Sequence, residues 1–234
     1  MTMTMNMHIL SVPAVLNEEH WNLLLSQVSS ERREKAARFV HRVDAYRSVL
    51  GEVLARVTLG QKLGLRPDEL SFTQNAYGKP SLLTRDPDGD VPFNLSHSGS
   101  WIALISGGRA PLGVDVEQIA PIDMHIAERF FSKEENGYLA TLPAAARLEA
   151  FYRLWTLKES YIKAVGTGLS MPLESFSILP DGAGHWHCPQ TRAYRFFSQR
   201  LDDNHMLAAC STAGELPQQP EIVTMEEILE GLVR

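Results

Sequence analysis

A chain of 234 residues with 44% hydrophobic residues can bury a substantial core, as one large domain or two of about 100 residues, so disorder is not expected. Its 22 Lys and Arg against 28 Asp and Glu give a formal net charge of -6, which argues against nucleic-acid binding through overall charge but leaves room for a local phosphate site. Cys188 and Cys210 are too few for a disulfide scaffold, and no run of 18 apolar residues or basic-then-apolar leader occurs. A reduced, cytoplasmic protein that does not span a membrane is the expectation.

The apolar, partly β-branched stretch 7–15 reads as a first strand, and Asn17 or Glu18 opens a helix through the leucines at 23–25. Ser30 is the expected N-cap of one or two amphipathic helices running toward Gly60, with apolar positions from Phe39 to Val57. Seven basic side chains crowd 32–47; a solvated helix face is the bland reading of such a run. From 65 to 112 turn residues punctuate short strands at 70–72, 93–98 and 101–106. SGGRAPLG, 106–113, marks a sharp turn or boundary, followed by GVDVE, helices over 122–139 and 145–165, and strands at 175–179, 191–198 and 205–211. The order, strand then helices then short strands, occurs twice without an exact sequence repeat, which fits two similar α/β halves packed together. A short helix is expected near the C-terminal end.

Asp115 and Glu117 alternate with Val114 and Val116, so on a strand both carboxylates share one face. They read either as two solvated acids at a strand end or as an oxygen-only site suited to Mg²⁺. In WTLKESYIKAVGTGLS, Glu159 and Lys163 share a helix face at i,i+4; an intrahelical ion pair is one reading, and a third metal ligand with a phosphate-binding lysine is the other.

GVDVE at 113–117, FFSKEE at 130–135 and WTLKESYIKAVGTGLS at 155–170 resemble the phosphopantetheinyl transferase superfamily, in particular the monomeric type that activates surfactin and other nonribosomal peptide synthetases. SSERREKAARFVHRVDAYRSVLGEVL, YGKP, FNLSHSGSW and SMPLESFSI fall in the same order, so the likeness covers nearly the whole chain. It implies an α/β (α+β) pseudo-dimer of two similar halves, 1–110 and 111–234, with the site in the cleft between them. Asp115, Glu117 and Glu159 would hold Mg²⁺. Arg32, Lys35 and Ser48 would meet the 3'-phosphate side of coenzyme A, with Arg47 a less defined cation. Lys79 and Pro80 would border the adenine and ribose, and Ser96 and His97 the diphosphate. His97 and the Gly-Lys-Pro turn would otherwise be an ordinary loop histidine and a surface turn. Lys163 would assist departure of adenosine 3',5'-bisphosphate, and Glu135, or a metal-bound water, would take the proton of the attacking serine. The implied partners are apo peptidyl, acyl or aryl carrier protein domains and coenzyme A, with no nucleic acid and no membrane. A different Mg²⁺-dependent diphosphate enzyme and a noncatalytic binding module are the competing readings.

Overall fold

The computed structural model describes residues 4–84 and 91–233. The first strand, β1 (Asn6–Ser11), stops earlier than the apolar stretch suggests, before Pro13. Asn17 then caps α1 (Glu18–Ser26), its side chain accepting from the His20 N–H while Glu18 and Glu19 occupy the positive first turn. The next cap is Ser29, not Ser30: its side chain accepts from the Arg32 N–H and starts α2 (Ser30–Ala37). After a break at 38–41, α3 (Arg42–Leu63) runs for 22 residues to Gly64, which ends it in a left-handed conformation with φ 66°.

The hairpin β2 (Phe72–Gln74) and β3 (Pro80–Leu82) precedes β4 (Phe93–Ser98) and β5 (Trp101–Ser106). The second half opens with β6 (Leu112–Gln118). The single helix expected over 122–139 is two, α4 (His125–Phe130) and α5 (Lys133–Thr141), because Ser132 and Glu135 form a capping box that starts a new helix. A 22-residue helix, α6 (Ala144–Val165), follows Pro143. The strand expected at 175–179 is mostly irregular backbone between a short 3₁₀ turn, Leu173–Ser175, and the two-residue β7 (Leu179–Pro180), which is followed by β8 (Trp186–His187). The hairpin β9 (Arg195–Asp202) and β10 (His205–Ser211) comes next, β9 displaced from the expected 191–198. The chain continues through β11 (Glu221–Val223) and α7 (Met225–Val233).

Two sheets organise these elements, ordered β11-β1-β5-β4 and β6-β10-β9. In each half a strand leads through a 22-residue helix to an antiparallel hairpin whose second strand inserts beside the first: β1, α3, β4, β5 in one and β6, α6, β9, β10 in the other. Topology repeats where sequence does not, which is the expected α/β pseudo-dimer.

Strand alternation divides the core. On β5, Ile102 and Leu104 pack with α3, while Ala103 and Ile105 join Met7, Ile9, Val114, Val116, Leu207 and Ala209 in a shared seam between the halves. Aromatic packing among Phe131, Phe151 and Trp155 fills the far side of the second half. The C-terminal segment crosses back. β11 pairs parallel with β1, and Ile228 of α7 is buried in the core around α3, so the last strand and helix pack with the first half rather than with 111–211. Nothing in the pattern of 217–234 signals that pairing, because its partner lies at the opposite end of the chain.

Candidate active site

The acidic strand is positioned by a glycine. Leu112, Val114 and Val116 of β6 enter the seam, which turns Gly113, Asp115 and Glu117 to the opposite face. There the backbone of α6 lies so close that a Cβ on Gly113 would sit 2.0 Å from the Ser160 carbonyl oxygen and 2.6 Å from the Ala164 nitrogen. This approach brings Lys163 onto the strand: its Nζ donates to Asp115 Oδ1 at 2.6 Å and to Ser96 Oγ at 2.8 Å. Side chains of β4 stitch the other edge, with Ser96 Oγ donating to Asp115 Oδ1, Ser98 Oγ to Glu117 Oε2, and the Val114 N–H to Asn94 Oδ1.

A cavity of about 330 Å³ gathers Asp115, Glu117, Glu159 and Lys163 from the second half with Arg32, Ser48, Ser96 and His97 from the first. Burial pushes the Asp115 carboxyl up, outweighing Lys163 and Ser96; burial and then Asp115 push up both Glu117 and Glu159. Asp115 Oδ2 is buried with no hydrogen-bond partner. An orphaned carboxylate oxygen beside two more acids fits a hard divalent cation such as Mg²⁺. Among the described residues no group of three His, Cys, Asp or Glu is arranged to hold a metal ion by itself, so water and substrate oxygens would have to complete such a shell.

The basic side adjoins this cavity. Arg32 Nε donates to Glu52 Oε2 at 3.1 Å and its NH1 to Ser48 Oγ at 3.2 Å, leaving three of the five guanidinium N–H groups for a ligand. Glu52, on the buried stretch of α3, also accepts from Arg56 and from the Ser29 N–H. Burial alone would raise its pKa; those donors hold it low and keep the carboxylate charged. Arg32 and Lys35 line a larger neighbouring cavity of about 510 Å³, which shares Arg32, Glu52, Pro80 and Leu95 with the acidic one. His97 stands at the cleft surface, where partial desolvation and then the charges of Lys163, Arg47 and Arg32 lower its pKa and favour the neutral ring. Arg47 is committed to structure: it donates to the Gly99 carbonyl at 2.5 Å and pairs with Asp44, holding the β4–β5 turn.

Sequence comparison matches the 4'-phosphopantetheinyl transferase superfamily at residues 111–211 and the N-terminal region of 4'-phosphopantetheinyl transferases at 16–108. The chain is 37% identical over 218 residues to the 4'-phosphopantetheinyl transferase ffp of Bacillus subtilis, covering 92% of this chain and 95% of that one. It is 40% identical over 172 residues to the 4'-phosphopantetheinyl transferase gsp of Aneurinibacillus migulanus, covering 74% and 70%. The crystal structure of a holo-(acyl-carrier-protein) synthase from Bacillus anthracis with CoA (3',5'-ADP) aligns at 18% identity and a TM-score of 0.39, over 43% of this chain and 93% of that one. The chain belongs to the 4'-phosphopantetheinyl transferase superfamily.

Two expected site residues of the transferase are used otherwise. Glu135 is completely buried, and its two oxygens accept from Lys158 Nζ twice and from the Ser132 and Ile178 N–H groups. Those four bonds fill a carboxylate's acceptor sites, and Glu135 is absent from the cleft lining, so it is not placed to take a serine proton. The Ser-x-x-Glu spacing from Ser132 was the legible sign of this capping role. Lys79 turns its ammonium away from the acidic and basic cavities toward backbone carbonyls at the end of α6, while Pro80 lines both. Conversely, Glu52, Ser98 and Gly113 are site-building residues that motif reading passed over. Only Gly113 had a local signal, a glycine inside a strand, which marks close backbone approach.

Proposed function

We propose that this transferase moves the 4'-phosphopantetheine moiety of coenzyme A onto the acceptor serine of an apo peptidyl, acyl or aryl carrier protein, releasing adenosine 3',5'-bisphosphate. The observation that carries the reading is the adjoining of a basic cavity, Arg32 and Lys35, and a carboxylate cavity, Asp115, Glu117, Glu159 and Lys163, with Arg32 shared between them. Coenzyme A has the matching sequence of groups: 3'-phosphate, diphosphate, then the pantetheine arm. A third, more apolar cavity of about 250 Å³ shares Pro80, Leu95, Glu159 and Lys163 with the acidic one and is lined also by Tyr77, Ile162 and Lys79, whose ammonium is taken up by backbone carbonyls; it suits the arm.

In this reading 1–110 contributes most of the nucleotide side and the half beginning at 111 contributes the acids. Arg32 and Lys35 bind the 3'-phosphate, Ser48 orients Arg32, and Ser96 and His97 meet the diphosphate. Asp115, Glu117 and Glu159 would hold Mg²⁺, which would supply positive charge to offset that of the diphosphate. Two N–H groups of Lys163 are held by Asp115 and Ser96. The third is available to the oxygen of the departing bisphosphate, where negative charge develops as the serine oxygen attacks the β-phosphorus. The serine proton leaves to a cleft group with an open acceptor site, the neutral His97 ring or a carboxylate of the Glu117 and Glu159 pair, rather than to Glu135. Because both halves of the cleft belong to one chain, the enzyme works as a monomer.

The test is incubation with coenzyme A, Mg²⁺ and a purified apo-carrier, read by intact-protein mass. A gain of one phosphopantetheine that requires Mg²⁺, the carrier serine and Asp115 supports the assignment; no gain with several well-folded carriers overturns it.

A further inference from the structure

The β2–β3 hairpin packs Phe72 and Leu82 into the first half, yet the polar side chains at its turn reach the second. Lys79 Nζ donates to the carbonyl oxygens of Lys163 at 2.5 Å, Leu112 at 3.2 Å and Ala164 at 3.3 Å. An ammonium has three N–H donors, so none is left for a ligand. Beside it, Asn75 Nδ2 donates to the Gly166 carbonyl at 3.1 Å, while Asn75 Oδ1 accepts from the Tyr77 and Lys79 N–H groups, both at 2.9 Å. The Lys163 and Ala164 carbonyls are among those a helix leaves without intrahelical partners at its C-terminal end, where the aligned peptide dipoles favour a cation, and Gly166 is its C-cap. Leu112 opens β6, the strand that carries Asp115, and the last turn of α6 carries Lys163.

We propose that Lys79 is a positioning residue: with Asn75 it clasps the end of α6 to the start of β6 from across the cleft and so holds Lys163 at Asp115 and Ser96, and its ammonium does not contact the coenzyme. The proposal rests on the transferase reading above and adds to it how the reacting lysine is kept in place. The clasp spans the two halves, whereas Gly113 only permits their second-half partners to approach.

A double-mutant cycle on the full chain tests it, using Lys79→Met, Lys163→Met and the pair, with single-turnover transfer to an apo-carrier and titration of coenzyme A. Lys79→Met is expected to slow the single-turnover rate roughly 10- to 100-fold, as for a displacement near 1 Å, with KM for coenzyme A within about 2-fold of wild type. In the Lys163→Met background the same change should cost less than about 2-fold, because the group it positions is gone. A raised KM with an unchanged rate would make Lys79 a coenzyme contact, and fully additive losses would show that it does not act through Lys163; either overturns the proposal. Hydrogen exchange at the Gly166 amide, which donates to the Ile162 carbonyl, gives a readout independent of activity. It should accelerate in Lys79→Met, and unchanged exchange sinks the clasp even if wild type transfers. Failure of wild type to transfer sinks the transferase reading alone. If Lys79→Met does not fold, Asn75→Asp, which keeps the acceptor for Tyr77 and Lys79 but removes the donor to Gly166, must show the same two effects at smaller size.

Discussion

Replacing Gly113 by Ala tests the packing that assembles the acidic site. The added Cβ would lie 2.0 Å from the Ser160 carbonyl oxygen. Carbon and oxygen in ordinary contact stand about 3.3 Å apart or more, so α6 must retreat by roughly 1.3 Å or the strand must bend. Both atoms it meets are backbone, which no side-chain rotation can move aside. Overpacking of this kind costs about 1–3 kcal/mol, and the upper end applies to a backbone obstacle. For a chain of this size that lowers Tm by roughly 6–12 °C. Because Glu159 and Lys163 ride on the displaced helix, transfer should fall on the order of 100-fold, a barrier increase of about 2.7 kcal/mol. Thermal denaturation and single-turnover transfer, followed by carrier mass, measure the two quantities. Gly137→Ala is the control: it sits in α5 with nothing within 4 Å of an added Cβ, and should raise stability by about 0.5–1 kcal/mol without changing the rate. Wild-type Tm and rate in Gly113→Ala would refute the close-approach account.

Glu135→Gln leaves Lys158 buried without its carboxylate, so Tm should drop by roughly 6–20 °C, for a cost of about 3–5 kcal/mol, while the folded enzyme keeps a rate within a few-fold of wild type. A loss of 100-fold or more at unchanged Tm would restore Glu135 as the proton acceptor. Arg32→Met should cut kcat/KM for coenzyme A about 10- to 100-fold, the loss of a charge-assisted contact, and much less when 3'-dephospho-coenzyme A is the donor; equal losses with both donors would make Arg32 structural. Asp115 holds its proton more tightly folded than unfolded, first because of burial, so between its ordinary value of 3.8 and its raised folded value the native chain binds the extra proton. Stability from this group is therefore full below that window and is lost as pH rises through it. Without Mg²⁺, Asp115→Asn should match wild-type Tm at the acid end and exceed it progressively as pH rises, and the reverse trend would contradict the burial argument.

The elements carrying chemistry were legible because their signals are local. Asp115 and Glu117 announce one strand face, Glu159 and Lys163 one helix face, and FNLSHS and WIALIS two short strands, all found as read, and the structure pairs the two strands as a hairpin. The cavity brings nine of the twelve expected site residues into one lining, and adding the larger cavity supplies Lys35. What escaped were relations between distant segments. β11 finds β1 across more than 200 residues, Glu135 finds Lys158, and Lys79 finds the end of α6; none of these partners is adjacent in sequence. A charged residue in a motif shows that its charge is used, and only the count of its filled donors or acceptors shows on what.

The apolar seam sets the manner in which substrates are admitted. Met7, Ile9, Ile105, Val114, Val116 and Leu207 are all nearly or completely sequestered there, and each such side chain contributes about 1.5–3 kcal/mol of burial. Wetting that seam would forfeit on the order of 10 kcal/mol, comparable with the entire stability of a typical fold. The two halves therefore do not swing open like the jaws of a hinged enzyme. Coenzyme A has to enter a cleft whose two walls stay joined along the seam behind it.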